Sequence, residues 1–305
     1  MLRIDRHFET EAQKREFILE CEAGFLRQTD RLADLILTGN ERVVTLSGPT
    51  CSGKTVTADN LARSVSHAGR SMIQISIDDY YRDRSELIAE AEAEGRAPDY
   101  DSAESIDLDL LEKTVRGVYR KDKVIVPGYD FKTGSRACLT EVDSSLYDVV
   151  LFEGIQAVYP EFTAMFGACP YISVTTGVNS GISVDGSCFD AREIRLMRRL
   201  VRDVRARNTP PEQTFELWDT TVIPNEEKNI LPFIDSADIN IDSLMPYEIH
   251  VIRDPLLNTL SGMPKDGEYD SAAQGLIRRV TPIDPISGEY IPDGSLYREF
   301  IGDGN

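Results

Sequence analysis

Residues 48–55 decide the fold, and they read Gly48-Pro49-Thr50-Cys51-Ser52-Gly53-Lys54-Thr55. The stretch matches the pattern G-x-x-x-x-G-K-[ST] in full. Glycines at both ends allow the backbone to turn its N–H groups inward around phosphate oxygens. In such a loop the lysine reaches the β- and γ-phosphates, and the following hydroxyl ligates Mg²⁺. We therefore predict a P-loop in which all residues from Gly48 to Thr55 bind a nucleotide.

The sequence on both sides of this loop has the strand-then-helix context that a P-loop requires. Val43–Ser47 is a β-rich run, and Lys54–His67 has helical character. Further runs predict strands at 72–77, 123–126, 149–152, 171–175 and 238–241. Helical stretches separate most of these strands, so we predict an α/β P-loop fold with a mostly parallel sheet, helices on both faces and a helical lid.

The pattern divides the chain into three segments. Residues 1–40 carry apolar side chains at helical spacing over 9–38, followed by a helix stop at Gly39-Asn40. Residues 41–245 hold the P-loop and the predicted strands, and residues 246–305 are richer in Pro and Gly. We expect an N-terminal helical extension, a P-loop domain, and a C-terminal extension that packs on the core or on a partner chain.

Composition limits the partners and the compartment. The formal net charge is -19, which disfavours a general nucleic-acid binder, because such proteins need clustered Lys and Arg. The five cysteines include no CxxC pair, which is typical of reduced thiols rather than of a disulfide framework or a zinc site. No apolar run approaches the roughly 20 residues of a membrane span, and the N-terminus lacks a signal-peptide core. We expect a cytoplasmic protein without a nucleic-acid or membrane partner.

Two acidic segments follow predicted strands. Glu153 ends the apolar run 149–152, which suits a carboxylate that holds Mg²⁺ together with Thr55. Asp78 and Asp79 follow the run 72–77, at the sheet edge where ligands of open α/β sheets bind. Either aspartate could accept a proton from an acceptor hydroxyl, or simply cap a turn, and the residues alone do not choose between them.

Residues 190–207 form a basic helix with seven arginines between Arg192 and Arg207. Arg192, Arg195, Arg199 and Arg202 share one face, because they follow one another at three- and four-residue steps. Such a face is often simply solvated. In a chain this acidic, we expect the arginines to have anionic partners, which are either the phosphates of a ligand or the acidic side chains of the protein itself.

Taken together, the chain resembles the uridine kinase and phosphoribulokinase family of P-loop kinases from about residue 43 to residue 241. Five segments carry the resemblance in the family's order: the P-loop; 77–81 (IDDYY); 99–101 (DYD) with Asp107; 127–131 (PGYDF) with Arg136; and 152–154 (FEG) followed by the arginine-rich helix. Related kinases form oligomers, so the resemblance also implies a homo-oligomer.

The resemblance implies roles for individual residues. Asp78 is the catalytic base, and Lys54 and Arg195 stabilise the charge of the transferring phosphoryl group. Arg195 and Arg198 are helix arginines that face substrate and phosphates, and Arg207 is a lid arginine that closes over ATP. The residues implied to bind the acceptor substrate are Asp78, Tyr81, Tyr100, Asp101, Tyr129, Phe131, Arg136 and Arg195, with Asp101 taking the ribose hydroxyls.

The implied function is ATP-dependent transfer of the γ-phosphoryl group to the 5'-hydroxyl of a uridine- or cytidine-like nucleoside, with ATP and Mg²⁺ as cofactors. Gly134 departs from the family, which usually places there a His that reads the pyrimidine edge. A kinase of the same group that acts on another hydroxyl compound, such as a phosphorylated sugar or pantothenate, therefore stays open. A nucleotide switch is disfavoured, because the guanine-selecting N-K-x-D pattern is absent from the sequence.

Overall fold

A parallel sheet lies at the centre of the structure, a computed structural model that describes residues 1–96 and 98–302. The strands are β1 (Leu2–Ile4), β2 (Val43–Ser47), β3 (Met72–Ser76), β4 (Lys123–Asp130), β5 (Ser135–Asp143), β6 (Val149–Glu153), β7 (Ile172–Gly177), β8 (Ile182–Val184), β9 (Ser187–Phe189) and β10 (Ile239–Asp242). In the central sheet β10, β7, β2, β6 and β3 pair in that order, all of them parallel. The predicted α/β fold class is confirmed.

The strand predicted at 123–126 does not join this sheet, so that part of the prediction was wrong. It belongs to β4, which pairs antiparallel with β5 in a two-stranded hairpin, and the register shifts between Gly128 and Tyr129. A central parallel strand is buried on both faces, whereas β4 begins with alternating exposed and buried residues. The mostly exposed β5 carries little hydrophobic signal of its own, which explains why sequence reasoning missed the hairpin.

Helices cover the sheet. They are α1 (Glu11–Thr38), α2 (Lys54–His67), α3 (Arg84–Ala93), α4 (Leu108–Arg120), α5 (Pro160–Ala164), α6 (Ala191–Arg207), α7 (Pro211–Leu217), α8 (Ile223–Asn225), α9 (Leu231–Ile234), α10 (Glu248–Ser261), α11 (Asp270–Val280) and α12 (Arg298–Ile301). The predicted 9–38 segment is the single helix α1, which begins after a capping box between Thr10 and Gln13. Segments of π-helix connect α7, α8 and α9 into one irregular helical stretch.

The two faces of the sheet bury two different hydrophobic clusters. Val44 and Leu46 of β2 join the cluster that includes α1, α2, α6 and the C-terminal helices. Val43 of the same strand joins the cluster around α4 and α5. This alternation follows from the two-residue repeat of a strand, and it requires apolar residues at successive positions of a central strand.

Both terminal segments pack on this core. β1 pairs parallel with β8, in a small sheet separate from the central one. The C-terminal segment contributes Tyr247, Tyr297 and Phe300 to the same cluster as α1 and β2, and all three side chains are buried. Within residues 1–96 and 98–302, no helix is both long enough and apolar enough to cross a membrane.

Candidate nucleotide and acceptor site

The predicted P-loop is the turn between β2 and α2. Gly48 lies so close to β7 that a Cβ on it would be 2.1 Å from the carbonyl oxygen of Thr176. Gly53 has a φ of +81°, a conformation that glycine adopts without strain. Helix α2 starts at the next residue, Lys54, so its unpaired N–H groups and the positive end of its dipole lie at the loop.

Each carbonyl group of the loop from residue 48 to residue 53 accepts a hydrogen bond from a side chain. The donor–acceptor pairs are Lys54 Nζ to Gly48 O (2.9 Å) and to Pro49 O (3.4 Å), Arg195 to Thr50 O (3.1 Å), Arg198 to Cys51 O (3.1 Å), Thr176 to Ser52 O (3.3 Å), and Thr57 to Gly53 O (2.9 Å). The backbone N–H groups of residues 50–55 have no acceptor in the described part of the chain. They are therefore available to an anion.

Arg195 and Arg198 occupy places other than those that the resemblance implies. Arg195 donates to Glu226 at 2.5 and 2.7 Å, and Arg198 donates to Glu248 at 2.8 and 3.0 Å. Arg198 is fully buried, and Arg195 is 5% exposed. A buried guanidinium requires a carboxylate partner, so the two charges are used inside the protein. Both arginines also donate hydrogen bonds to the P-loop, Arg195 to the carbonyl group of Thr50 and Arg198 to that of Cys51.

A cavity of about 500 Å³ opens in front of the P-loop. Residues 50–55 line it, together with Asp78, Asp101, Glu153 and Phe131. These residues come from five separate parts of the sequence. The carboxyl ends of β3 and β6 bring two of them, Asp78 and Glu153, to the same edge of the sheet. The volume is typical of a small-molecule site.

Three arginines of the basic helix and its end line this cavity: Arg199, Arg202 and Arg207. The carboxylate of Asp203 holds all three, at 3.1 Å from Arg199, 2.9 Å from Arg202 and 3.6 Å from Arg207. Asp203 itself is 2% exposed. The sequence predicted Arg207 for this wall. It did not single out Asp203, although an acid among seven arginines was a usable signal.

Asp78 and Asp79 both line the cavity but have different partners. Asp79 accepts the backbone N–H of Tyr129 at 3.1 Å and so anchors the β4–β5 hairpin. Asp78 accepts a hydrogen bond from Gln156 at 3.2 Å. Burial raises the pKa of Asp78, and Asp79 adds to this, while Lys54 and Gln156 oppose it. A carboxylate with a raised pKa is a stronger base, which favours Asp78 for proton abstraction.

Gln156 is a site residue that the sequence did not reveal. It is 2% exposed, and its Nε2 donates to Asp78 and also to the hydroxyl oxygen of Tyr81 at 3.1 Å. The side chain therefore fixes the orientation of both groups. Its proximity to Glu153 along the chain was the only signal, and that signal does not identify a partner on another strand.

Glu153 and Asp101 are the other two carboxylates predicted for the site. Burial raises the pKa of Glu153, although Lys54 opposes this effect. The pKa of Asp101 is raised to about 6 by burial and by the charges of Asp99 and Asp78. The hydroxyl of Tyr159 donates to the backbone carbonyl of Asp101 at 2.9 Å and fixes its loop beside the cavity.

Three of the aromatic residues that the resemblance implies for the acceptor pocket, Tyr81, Tyr129 and Phe131, lie together. The Tyr81 and Tyr129 rings lie 5.6 Å apart between centroids, and Phe131 lies 5.1 Å from Tyr129. Phe131 lines the cavity while 56% exposed, and Tyr100 is 40% exposed. Beside them, a Cβ added at Gly134 would lie 2.9 Å from Arg84. A side chain at position 134 would therefore collide with Arg84 in its present conformation.

Arg136 is placed differently from the substrate-binding role that the resemblance implies. Its guanidinium donates to Asp107 at 2.8 Å, and the two residues line a separate cavity beside α3. Its backbone N–H donates to Asp83 at 2.9 Å. The physical reason is the carboxylate of Asp107, which pairs with the guanidinium and holds it at that cavity.

Thr55 and Glu153 fit a hard divalent cation. Both line the cavity, and a hydroxyl and a carboxylate are the oxygen ligands that Mg²⁺ accepts. Among the described residues there is no group of three or more His, Cys, Asp or Glu with metal-site geometry.

A P-loop that follows an inner strand of a parallel sheet, with phosphate-facing amides and a carboxylate-lined cavity, defines a nucleotide-binding protein of the P-loop class. Residues 43–250 match the Phosphoribulokinase / Uridine kinase family, so the chain belongs to this family. The resemblance noted from the motifs is confirmed. The protein is a kinase, that is, a phosphotransferase with an alcohol group as acceptor.

Two curated proteins are similar to this chain in sequence, and one solved structure is similar to it in fold. The uridine kinase of Ureaplasma urealyticum serovar 10 is 29% identical over 199 residues, which cover 65% of this chain and 86% of the relative. Uridine-cytidine kinase 2-B of Danio rerio is 29% identical over 209 residues, with 65% and 72% covered. A solved D-glycerate 3-kinase from Cryptococcus neoformans var. grubii serotype A has a TM-score of 0.49 at 17% identity, over 78% of this chain and 98% of that one.

The buried pair behind the P-loop generates a prediction. Arg198→Met or Glu248→Met alone should lower the free energy of unfolding by about 3–5 kcal/mol, because each leaves a buried charge unpaired. The double variant should recover much of this loss yet bind nucleotide more weakly than the wild type, because Cys51 O has lost its donor. Urea denaturation and a nucleotide titration measure the two effects.

A matched control for these single and double variants is the exposed pair of Arg116 and Glu112 on α4. Replacing both residues by Met should change stability by no more than about 0.5 kcal/mol and leave nucleotide binding unchanged. Wild-type nucleotide affinity in the double variant of the buried pair would show that the loop keeps its shape without Arg198.

Proposed function

We propose that this protein is an ATP-dependent kinase that transfers the γ-phosphoryl group of ATP to the 5'-hydroxyl of a nucleoside. The observation that carries the proposal is the single cavity that Asp78, Asp101 and the P-loop share. In this cavity Asp78 provides the base, Asp101 provides a carboxylate that accepts hydrogen bonds from a diol, and the P-loop provides the phosphate-binding site. The sequence relationship to uridine and uridine-cytidine kinases supports a nucleoside as the acceptor.

In the proposed reaction Asp78 accepts the proton of the acceptor hydroxyl, whose oxygen then bonds to the γ-phosphorus while ADP leaves. The raised pKa of Asp78, caused mainly by burial, favours this proton transfer. Lys54 and the cavity arginines Arg199, Arg202 and Arg207 stabilise the negative charge of the phosphoryl group. Mg²⁺, held by Thr55 and Glu153, would neutralise charge on the phosphates when bound.

Asp101 supports a ribose-bearing acceptor. A carboxylate that accepts two hydroxyl hydrogen bonds discriminates against a deoxyribose, because a missing hydroxyl leaves the buried acceptor unsatisfied. Tyr81, Tyr129 and Phe131 provide an aromatic surface beside this carboxylate, which suits a flat base.

A second candidate is a kinase of the same group that acts on another hydroxyl compound, such as a phosphorylated sugar or a pantothenate-like molecule. The contact between Arg84 and Gly134 favours this candidate, because Arg84 leaves no room at position 134 for a side chain that would read a pyrimidine edge. Asp101 would then hold a different diol or hydroxyl.

The test is an acceptor panel scored by ADP release in the presence of ATP and Mg²⁺. It includes uridine, cytidine, purine nucleosides, 2'-deoxyuridine, a sugar phosphate and pantothenate, with Lys54→Met as the inactive control. Release that depends on ribonucleosides supports the first candidate, and release only with other acceptors supports the second. ATP binding without acceleration by any of these compounds would reject both.

Asp78→Asn should lower turnover by about 10²- to 10⁴-fold, because the amide cannot accept the hydroxyl proton. The dissociation constant for ATP should stay nearly unchanged, since Asp78 serves the acceptor. Single-turnover kinetics and a nucleotide titration measure the two quantities. Asp79→Asn is the matched control and should retain most of the turnover. An unchanged turnover in Asp78→Asn would show that Asp78 is not the catalytic base.

The acceptor KM should depend on pH through Asp101. Its pKa of about 6 means that the carboxylate is mostly ionised at pH 7 and mostly protonated at pH 5. Because the ionised form accepts the hydroxyl hydrogen bonds, the KM should rise about tenfold from pH 7 to pH 5. Protonation of Asp78 lowers kcat instead, which separates the two groups.

Asp101→Asn is the control for this pH dependence. The variant should have a high acceptor KM at pH 7 that no longer rises toward pH 5. A wild-type KM that stays constant between these two pH values, or an effect of the variant on ATP alone, would show that Asp101 lies outside the acceptor site.

A further inference from the structure

The C-terminal segment formed by residues 295–302 lies directly on the P-loop. The side chain of Leu296 fills the space in which Gly53 would carry a Cβ, with its Cδ1 at 2.1 Å from that position. Arg205 donates to the carbonyl oxygens of Glu299 at 3.0 Å and Phe300 at 3.3 Å, which fixes the backbone there. The family match covers residues 43–250, so this segment lies outside the matched residues.

This segment brings one charged side chain into the cavity, that of Glu299. Its carboxylate lies 3.4 Å from Nη1 of Arg202, and the two side chains are 29% and 10% exposed. Arg202 is also held by Asp203, so its guanidinium has two carboxylate partners. A ligand phosphate that approaches Arg202 must therefore meet the negative charge of Glu299.

The other carboxylates of the cavity have tasks in the proposed reaction or in its scaffold. Asp78, Asp101 and Glu153 serve the acceptor and the metal, while Asp79 and Glu226 hold the hairpin and Arg195. Glu299 has no such task, and it touches an arginine on the phosphate-binding wall.

We infer that Glu299 competes with the phosphates of the nucleotide for Arg202. Glu299 therefore weakens the binding of a nucleotide more strongly when the nucleotide carries more phosphates. Because Arg205 holds its backbone, the Glu299 side chain can turn away from Arg202 but its charge stays near the cavity. Repulsion then grows with the charge of the ligand. The inference rests on the proposed function in one respect, since it takes the cavity as the site of the donor nucleotide.

The experiment is a titration of the full chain with adenosine, AMP, ADP and ATP in the absence of any acceptor, at low ionic strength. Glu299→Gln should bind ATP about 3- to 10-fold more tightly than the wild type, with a smaller gain for ADP and no gain for adenosine. The gain should shrink as salt is added, because screening weakens the repulsion. If the substitution acted only by altering the structure, the change in affinity would not increase with the number of phosphates on the ligand.

Glu268→Gln is the matched control, because it removes the same charge from the exposed loop between α10 and α11. It should leave all four affinities unchanged. Glu299→Ala provides a second variant with the same expected sign, and thermal unfolding verifies that each variant is folded.

Unchanged ATP affinity in both Glu299 variants would overturn the inference while leaving the proposed function intact. Weaker ATP binding would also overturn it, since Glu299 would then accept a hydrogen bond from the nucleotide or ligate its metal ion. A wild-type protein that binds none of the phosphorylated ligands would overturn both the inference and the proposed function.

Discussion

The site depends on the hydrogen bonds that satisfy the carbonyl groups of the P-loop. A loop can present its N–H groups to an anion only if its carbonyl groups find donors elsewhere, because both are obligatory hydrogen-bonding groups. Arg195 and Arg198 supply two of these donors, and their burial is tolerated only because Glu226 and Glu248 neutralise them. The conformation of eight residues therefore depends on carboxylates more than 170 positions further along the chain.

This requirement divides the arginines of α6 between two tasks. Arg195 and Arg198 stand behind the loop, while Arg199 and Arg202 line the cavity in front of it. All four arginines lie on one broad side of the helix, because they are linked by three- and four-residue steps, and the contacts of each side chain divide them between the two tasks. Five of the seven arginines of this helix thus serve the site: Arg195 and Arg198 contact the P-loop, and Arg199, Arg202 and Arg207 line the cavity. The other two, Arg192 and Arg205, pair with Glu227 and with the C-terminal backbone.

Sequence patterns predicted the P-loop, the central strands and the arginine-rich helix, because each of these is encoded by residues close together in the chain. The β4–β5 hairpin was missed, since β5 is mostly exposed and carries little hydrophobic pattern. The partners of the arginines could not be assigned, because a residue's spacing shows the face it occupies but not which distant carboxylate meets it. Gln156 and Glu299 were missed for the same reason: their importance lies in contacts across the fold.

The charges around the acceptor end favour a neutral acceptor over a phosphorylated one. Asp78, Asp79 and Asp101 line that part of the cavity, and a second phosphate placed among them would meet several negative charges in a partly buried environment. Arg136 is paired with Asp107 beside another cavity and does not offer its charge to such a phosphate. A nucleoside brings only hydroxyl groups and a base to this position. Carboxylates accept hydrogen bonds from hydroxyls, so under the proposed function the acidity that disfavours a sugar phosphate is the same property that favours a ribose.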